Sequence, residues 1–501
     1  MAMRAEDGSV RELDREVEAH VRGIERMLEQ HAIASGTTLD APSESSQERT
    51  VADGGTAQLD RRSFLRSSAA VVSSAAIIGT LGMLHERKVH AHGRPILPPG
   101  PIESPYGAPI PTIDETTGLL LIGLPPGFRY WSHGWTGDPI FELFDEGPKT
   151  PALHDGMAVV REIGPLAILC RNHEVSAGPA FVKGSLQYSP AAGGGNTNMI
   201  FDMHRKKWVG VWPTLSGTVR NCSGGRTDHF SWLSCEETGD STTDPTTGQV
   251  YTHGWCYDVP AVGVSNGKPI KEMGRRSHEA CAVDPRTGYV YLTEDGSPGG
   301  VYRFKPNRTR SWERPYSNGG TLEMLRVPMT TAPNANLQGA RHGGPAIQVG
   351  DTFDVEWVKI DYPENNGPGG LGNFAQGQAK GGAILRRPEG ASYNDGTIFF
   401  VCTDGGSTGN GQVFGLDLKR QKLQLVYDSP HFDDLDNPDN LTVTPRGGLL
   451  FCEDGAGNGD HLHLGESTER LVGLTKNGQI FTFANNLIDF RAASAGGIGS
   501  Y

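Results

Sequence analysis

The sequence predicts an all-β chain folded as a six-bladed β-propeller, and three observations support this. Beyond residue 92, short runs rich in β-branched and aromatic residues end in Gly, Asp or Asn, and helix-period patterns are scarce. A hairpin signature recurs along that stretch with nearly constant internal spacing. Copies are followed by a glycine-rich connection and a further strand, such as Gly300-Val-Tyr-Arg-Phe304 or Gly411-Gln-Val-Phe-Gly-Leu416. Repeated units of about four short strands close into a ring, whereas a β-sandwich would leave the repetition without a cause.

Three segments divide the chain. Residues 1–60 are a polar leader, with Arg11 to Gln30 patterned as a charged, partly amphipathic helix and Ala41 to Asp60 too polar to build a core. Residues 61–91 read as an export segment. Arg61-Arg62-Ser63-Phe64-Leu65-Arg66 has the twin-arginine pattern, Ser67 to Leu84 is apolar and free of charge, and Val89-His90-Ala91 offers a cleavage site. Residues 92–501 are the propeller domain. The expected partner for the export segment is the twin-arginine machinery, and the expected destination is the periplasm or cell exterior. An uncleaved segment would act as a single anchor, the one membrane contact anticipated.

Charge narrows the partners further. The chain carries a net −13, of which about −10 falls on the propeller domain, and no basic stripe interrupts it. This argues against nucleic acid and suits a monomeric protein that collects divalent cations. Of the seven cysteines, Cys235, Cys281, Cys402 and Cys452 lie in apolar strand-like runs as small hydrophobes. Cys222 stands apart among polar and glycine residues.

The repeat units follow in order. The first and loosest runs from His154-Asp155-Gly156 to Asn172-His173-Glu174. In the second, Cys222 is followed fifteen residues later by Glu237, itself preceded by Glu236. In the third, Glu279 leads through a turn at Gly288 to Asp295, sixteen residues on. The long gap that follows has room for another unit near Phe353 to Ile360 plus an insertion. Glu389 and Asp404, then Asp439 and Asp454, complete two further units with steps of fifteen.

An antiparallel hairpin returns its end to its beginning, so the opening residue and closing acid of each unit share one end. In a ring, these ends converge on one mouth of the central channel. Asp155, Glu174, Cys222, Glu236, Glu237, Glu279, Asp295, Glu389, Asp404, Asp439 and Asp454 are thereby predicted to face one another. Carboxylates so gathered repel unless cations offset them. Taken singly, an Asp-Gly at a strand end is a turn, and Cys222 in a glycine-rich loop is accounted for by packing. Glu279, Glu389 and Asp439 read either as a polar network or as ligands. Arg386 and Arg387 either pair with a neighbouring carboxylate or grip an anion. His461 and His463 are read as loop histidines. Carboxylates suit calcium and a thiolate suits a transition metal such as iron or zinc, so a mixed ring suggests a heterometallic site.

Several of these motifs resemble the PhoX family of secreted alkaline phosphatases. They are Arg171-Asn-His-Glu174, Ser216-Gly-Thr-Val-Arg-Asn-Cys222-Ser-Gly-Gly225 with Trp232-Leu-Ser-Cys-Glu236-Glu237, His278-Glu279-Ala-Cys-Ala-Val-Asp-Pro285, Arg387-Pro-Glu389 and Pro438-Asp439-Asn440-Leu441. The resemblance spans about residues 125–486. Because members of that family continue into a further repeat that completes the last blade, it implies a last blade that is incomplete in this sequence. It implies hydrolysis of phosphomonoesters by Fe(III) and Ca2+ at the channel mouth. Cys222 and Glu279 would bind iron, Glu389 and Asp439 would add carboxylates, and Glu174 would bind calcium, with Glu237 also a metal ligand. Arg387, with Cys222, would be catalytic, holding the substrate phosphate. The competing expectations are a calcium-dependent propeller hydrolase of lactonase or phytase type, or a non-catalytic calcium-binding propeller, for which Cys222 would be incidental.

Overall fold

The computed structural model describes residues 22–30, 101–140, 147–308, 315–329, 334–455 and 469–488. The export segment 61–91, His461 and His463 lie outside these residues. Strands β1 (Ile110–Ile113) and β2 (Leu120–Leu124) come first. Blade one is the meander β3 (His154–Ile163), β4 (Leu166–His173), β5 (Gly194–Asp202) and β6 (Lys207–Thr218). Blade two holds β7 (Asn221–Arg226) and β8 (Ser231–Glu236); β9 (Ser241–Thr243) and β10 (Val250–Thr252) form a separate ribbon before β11 (Cys256–Pro260) completes the blade. Blade three runs through β12 (His278–Asp284), β13 (Tyr289–Glu294), β14 (Val301–Pro306) and β15 (Gly320–Arg326).

After β16 (Thr352–Asp354) and β17 (Glu356–Lys359) comes blade four: β18 (Pro388–Asn394), β19 (Thr397–Cys402), β20 (Gln412–Asp417) and β21 (Lys422–Asp428). Blade five is β22 (Pro438–Val443), β23 (Leu449–Glu453), β24 (Arg470–Leu474) and β25 (Ile480–Asn486).

The all-β propeller expected from the repeats is therefore present, with five blade sheets among the described residues. The sixth unit expected near residues 353–360 takes another form. Its two short strands are split between neighbours, β17 pairing with β15 and β16 with β21, because three or four residues supply an edge but no hairpin of their own. The last blade is a six-stranded sheet. To its own four strands it adds β2, through Ile122 opposite Asn486 and Gly123 opposite Asn485, and then β1.

Blades stack through apolar layers in which strands are buried on both faces. Ile168, Trp212 and Tyr257 fill the layer between blades one and two, and Leu233, Leu292 and Tyr302 the next. Phe400 and Phe414 follow, and Phe451 and Val472 close the series. Each such side chain stabilises by about 1.5–3 kcal/mol on leaving water, so the stack holds the inner strands rigidly in register. Residues 22–30 are helical, as the leader pattern predicts, and bury Ile24 and Leu28 in the first layer. No helix among the described residues is long and apolar enough to cross a membrane.

Candidate metal centre

Five inner strands, β3, β7, β12, β18 and β22, line a channel of about 1150 Å3. Each begins with the same irregularity. The pairing steps from His154–His173 to Met157–Arg171, from Asn221–Glu236 to Gly224–Ser234, and from His278–Glu294 to Cys281–Leu292. It steps likewise from Pro388–Cys402 to Ala391–Phe400 and from Pro438–Glu453 to Leu441–Phe451. In every case three residues on the inner strand oppose two on its neighbour, which is a β-bulge. The residues carried in the five bulges include Asp155, Cys222, Glu279, Glu389 and Asp439. A bulge frees a side chain from strand alternation and re-aims it, here into the channel mouth.

Two glycines allow neighbouring bulges to meet. A Cβ on Gly156 would lie 2.8 Å from Ser223 Cα, and one on Gly390 would lie 2.4 Å from the Asp439 carbonyl oxygen. The Asp155-Gly156 and Glu389-Gly390 pairs thus serve close approach between blades.

The bulged groups form one continuous cluster. Cys222 Sγ is 3.3 Å from Asp155 Oδ2 and 3.3 Å from Glu279 Oε1. Ligand atoms lie within 4.8 Å of one another in three overlapping sets: Asp155, Glu174 and Cys222; Cys222, Glu237 and Glu279; Glu279, Glu389 and Asp439. All six residues expected as metal ligands are therefore brought together, with Asp155 as a seventh member.

This cluster is electrostatically costly without cations. Burial, then the charges of Glu279, Asp155 and Asp439, push the Cys222 thiol well up. Burial followed by Asp439 raises Asp155, Glu279 and Glu389 far above the usual carboxylate range. Burial and then Asp454 raise Asp439, although a hydrogen bond with Glu389 opposes the shift. Glu237 is pushed up to about 7, mainly by burial, against the pull of Arg220. A thiol and carboxylates held where they resist ionisation fit a site built for cations, which favour the charged forms.

Arg387 stands at the rim. Its Nε is 3.0 Å from Asp295 Oδ1, and its Nη2 is 2.5 Å from Glu389 Oε1. Burial alone would lower its pKa, but Glu389 and Asp295 raise it instead. Arg220 is an equivalent that sequence reasoning missed: Nη2 lies 3.0 Å from Glu174 Oε1 and is hydrogen-bonded to Glu237. The signal was present, since Arg220 precedes Cys222 by two residues as Arg387 precedes Glu389. Both arginines take left-handed φ values, 49° and 44°, a conformation that costs a non-glycine residue about 1–3 kcal/mol.

Two residues predicted to face the channel do not do so. Glu236 is fully buried, accepts hydrogen bonds from the amides of Val219, Gly254 and Trp255, and lies 2.6 Å from His253 Nδ1. It ties strands together. Asp404 turns to Arg386, with Oδ2 2.9 Å from Arg386 Nε. Among the cysteines taken for small hydrophobes, Cys235, Cys281 and Cys402 are buried, but Cys452 is exposed and lines the channel.

Comparison with known proteins now bears on this ring. Residues 209–498 match the family model described as alkaline phosphatase PhoX. The chain belongs to the PhoX alkaline phosphatase family. The match takes in Cys222, Glu237, Glu279, Arg387, Glu389 and Asp439, while Asp155 and Glu174 of blade one precede it. Among solved structures, Pseudomonas fluorescens PhoX in complex with vanadate, a transition-state analogue, shares the fold at a TM-score of 0.53 and 16% identity. The alignment covers 78% of this chain and 90% of that one. A gluconolactonase from Xanthomonas campestris reaches a TM-score of only 0.30 at 12% identity, with 80% and 90% covered. No curated protein matches the chain. As a PhoX family member it is a phosphatase of the hydrolase class, metal-dependent and acting on phosphate esters.

Proposed function

We propose that the chain hydrolyses phosphomonoesters outside the cytoplasm with an iron–calcium centre at the channel mouth. The observation that carries this reading is the single thiol, Cys222, set among six clustered carboxylates beside two arginines, in a PhoX chain. Cys222 and Glu279 are the residues to hold Fe(III), since a thiolate is a poor calcium ligand. Glu389 and Asp439, Glu174 and Glu237, with Asp155 beside them, provide the oxygens that Ca2+ prefers. When bound, the metals supply the positive charge that this acidic mouth lacks and activate water for attack.

The protein's own groups do the positioning. Arg387 exchanges its Asp295 partner for the substrate phosphate, and its planar fork fixes two phosphate oxygens. Arg220 holds Glu174 and Glu237 at their spacing.

Metal analysis of exported protein with a p-nitrophenyl phosphate assay tests the reading. Iron and calcium together with phosphate release are expected. Calcium without iron, and no turnover with both metals supplied, would identify a different calcium-dependent hydrolase or a binding propeller. Arg387→Ala is expected to raise KM and weaken inhibition by inorganic phosphate about tenfold or more, with a smaller change in kcat. An unaltered inhibition constant removes Arg387 from phosphate binding. Export by the twin-arginine route as a monomer, with cleavage after Ala91, belongs to the same proposal. N-terminal sequencing of exported material checks it.

A further inference from the structure

A second group of soft ligands lies between blades two and three. Cys235 on β8 and Cys256 on β11 are directly opposite in the ladder. The Glu236 amide bonds to the Trp255 carbonyl, so the cysteines form a non-hydrogen-bonded pair, the closer of the two kinds. Their Sγ atoms are 3.6 Å apart, and Cys256 Sγ is 3.4 Å from His278 Nδ1. All three residues are fully buried. The other ring nitrogen, His278 Nε2, is 2.8 Å from the Gly274 carbonyl oxygen. That contact places the proton on Nε2 and leaves the Nδ1 lone pair directed at the thiols. Such an outer hydrogen bond is what orients a metal-binding histidine.

We infer that Cys235, Cys256 and His278 form a structural site for a thiophilic divalent cation, best matched by zinc. Tetrahedral zinc with bonds of about 2.3 Å to sulfur and about 2.0–2.1 Å to nitrogen has edges of about 3.7 Å between sulfurs and about 3.5 Å from sulfur to nitrogen. The observed separations fit those edges, whereas a disulfide requires about 2.05 Å. Two thiolates would balance the charge of the ion in this apolar layer. The three ligand atoms lie within 4.8 Å of one another, and Cys281 is buried in the same layer beside them. Binding releases two thiol protons to solvent and makes no redox demand. Because His278 opens β12 and the cysteines belong to blade two, the ion would fasten two blades together. Its ligands are distinct from those of the channel cluster, although His278 adjoins Glu279 in the sequence.

The test is zinc content and X-ray absorption on the full-length protein expressed with zinc, compared with Cys256→Ala and Cys235→Ala. About one equivalent of zinc with sulfur neighbours near 2.3 Å is expected, lost in either variant while iron and calcium are retained. A disulfide joining Cys235 and Cys256 in a non-reducing peptide map overturns the inference. So does zinc-free protein after zinc supply, or zinc unchanged in both variants. Should one variant fail to fold, the other and the absorption spectrum of the parent still decide.

Discussion

Cys222 and Cys235 sit on paired strands of one blade, yet they face different worlds. Cys222 lies in the bulge of β7 with carboxylate oxygens 3.3 Å away on two other blades. Cys235 lies in the regular ladder of β8, facing another thiol across the strand. Both thiols are raised. At Cys222, burial and Glu279 are responsible; at Cys235, the hydrogen bond from Cys256 lowers the value, but Cys281 and burial outweigh it. The difference teaches that strand register, not residue type, decides which side chain enters the channel. One inserted residue converts a packing position into a ligand position.

Exchanging the two thiols' roles gives the largest expected effect. Cys222→Ser is expected to lose iron and lower kcat at least about 100-fold, beyond the 10–100-fold typical of outer partners, while Cys235→Ala stays within about tenfold in kcat. Iron content and p-nitrophenyl phosphate turnover of both proteins check this, and equal losses would erase the contrast.

Next is Glu236, which follows Cys235 and ties the end of β8 to the Gly254 and Trp255 amides. Glu236→Ala strands His253 and the buried amides, and is expected to cost about 3–5 kcal/mol in urea unfolding. A loss under about 1 kcal/mol would show that the hairpin end holds without it.

The close approach of bulges can be probed at Gly390. Gly390→Ala places a methyl against the Asp439 carbonyl and is expected to destabilise by about 1–3 kcal/mol and reduce bound calcium. Unchanged metal content would mean that the bulges tolerate separation.

The smallest effect is one of pH. Asp155, Glu279 and Glu389 have raised folded-state pKa values, and Glu237 reaches about 7. A raised carboxylate contributes stability below its ordinary pKa and loses it as pH rises through the folded value. Metal-stripped protein should therefore lose several degrees of Tm between about pH 4.5 and 8, and restoring the metals should remove the slope. A flat curve for stripped protein would mean that the carboxylates are not strained.

Much of the ring was legible because the spacing of fifteen or sixteen residues marks hairpins, and hairpins bring their ends together. The cluster of Cys222, Glu279, Glu389 and Asp439 follows from that alone. The bulges were not legible, since strand alternation carries no mark of an inserted residue. Asp404 shows the consequence. In blade four the amide that pairs with Arg387 belongs to Thr403, whereas in blade five the partner of Asn437 is Asp454. Asp404 is one residue too late, and a one-residue step turns a side chain to the opposite face. The unit near residues 353–360 was hard to place for a related reason: length gives room for a blade, and among the described residues β16 and β17 there join neighbouring sheets while 373–378 is a helix.

The sharing of one sheet by β2 and β25 has a consequence for synthesis. Residues 122 and 486 must meet before the circle is complete, so the first strands made wait for the last. The ligand cluster draws on residues from 155 to 439, and a partial chain holds only part of it. Such distant pairings fold slowly. Cation capture would then come late, once the first strand of blade five has taken its place beside the others.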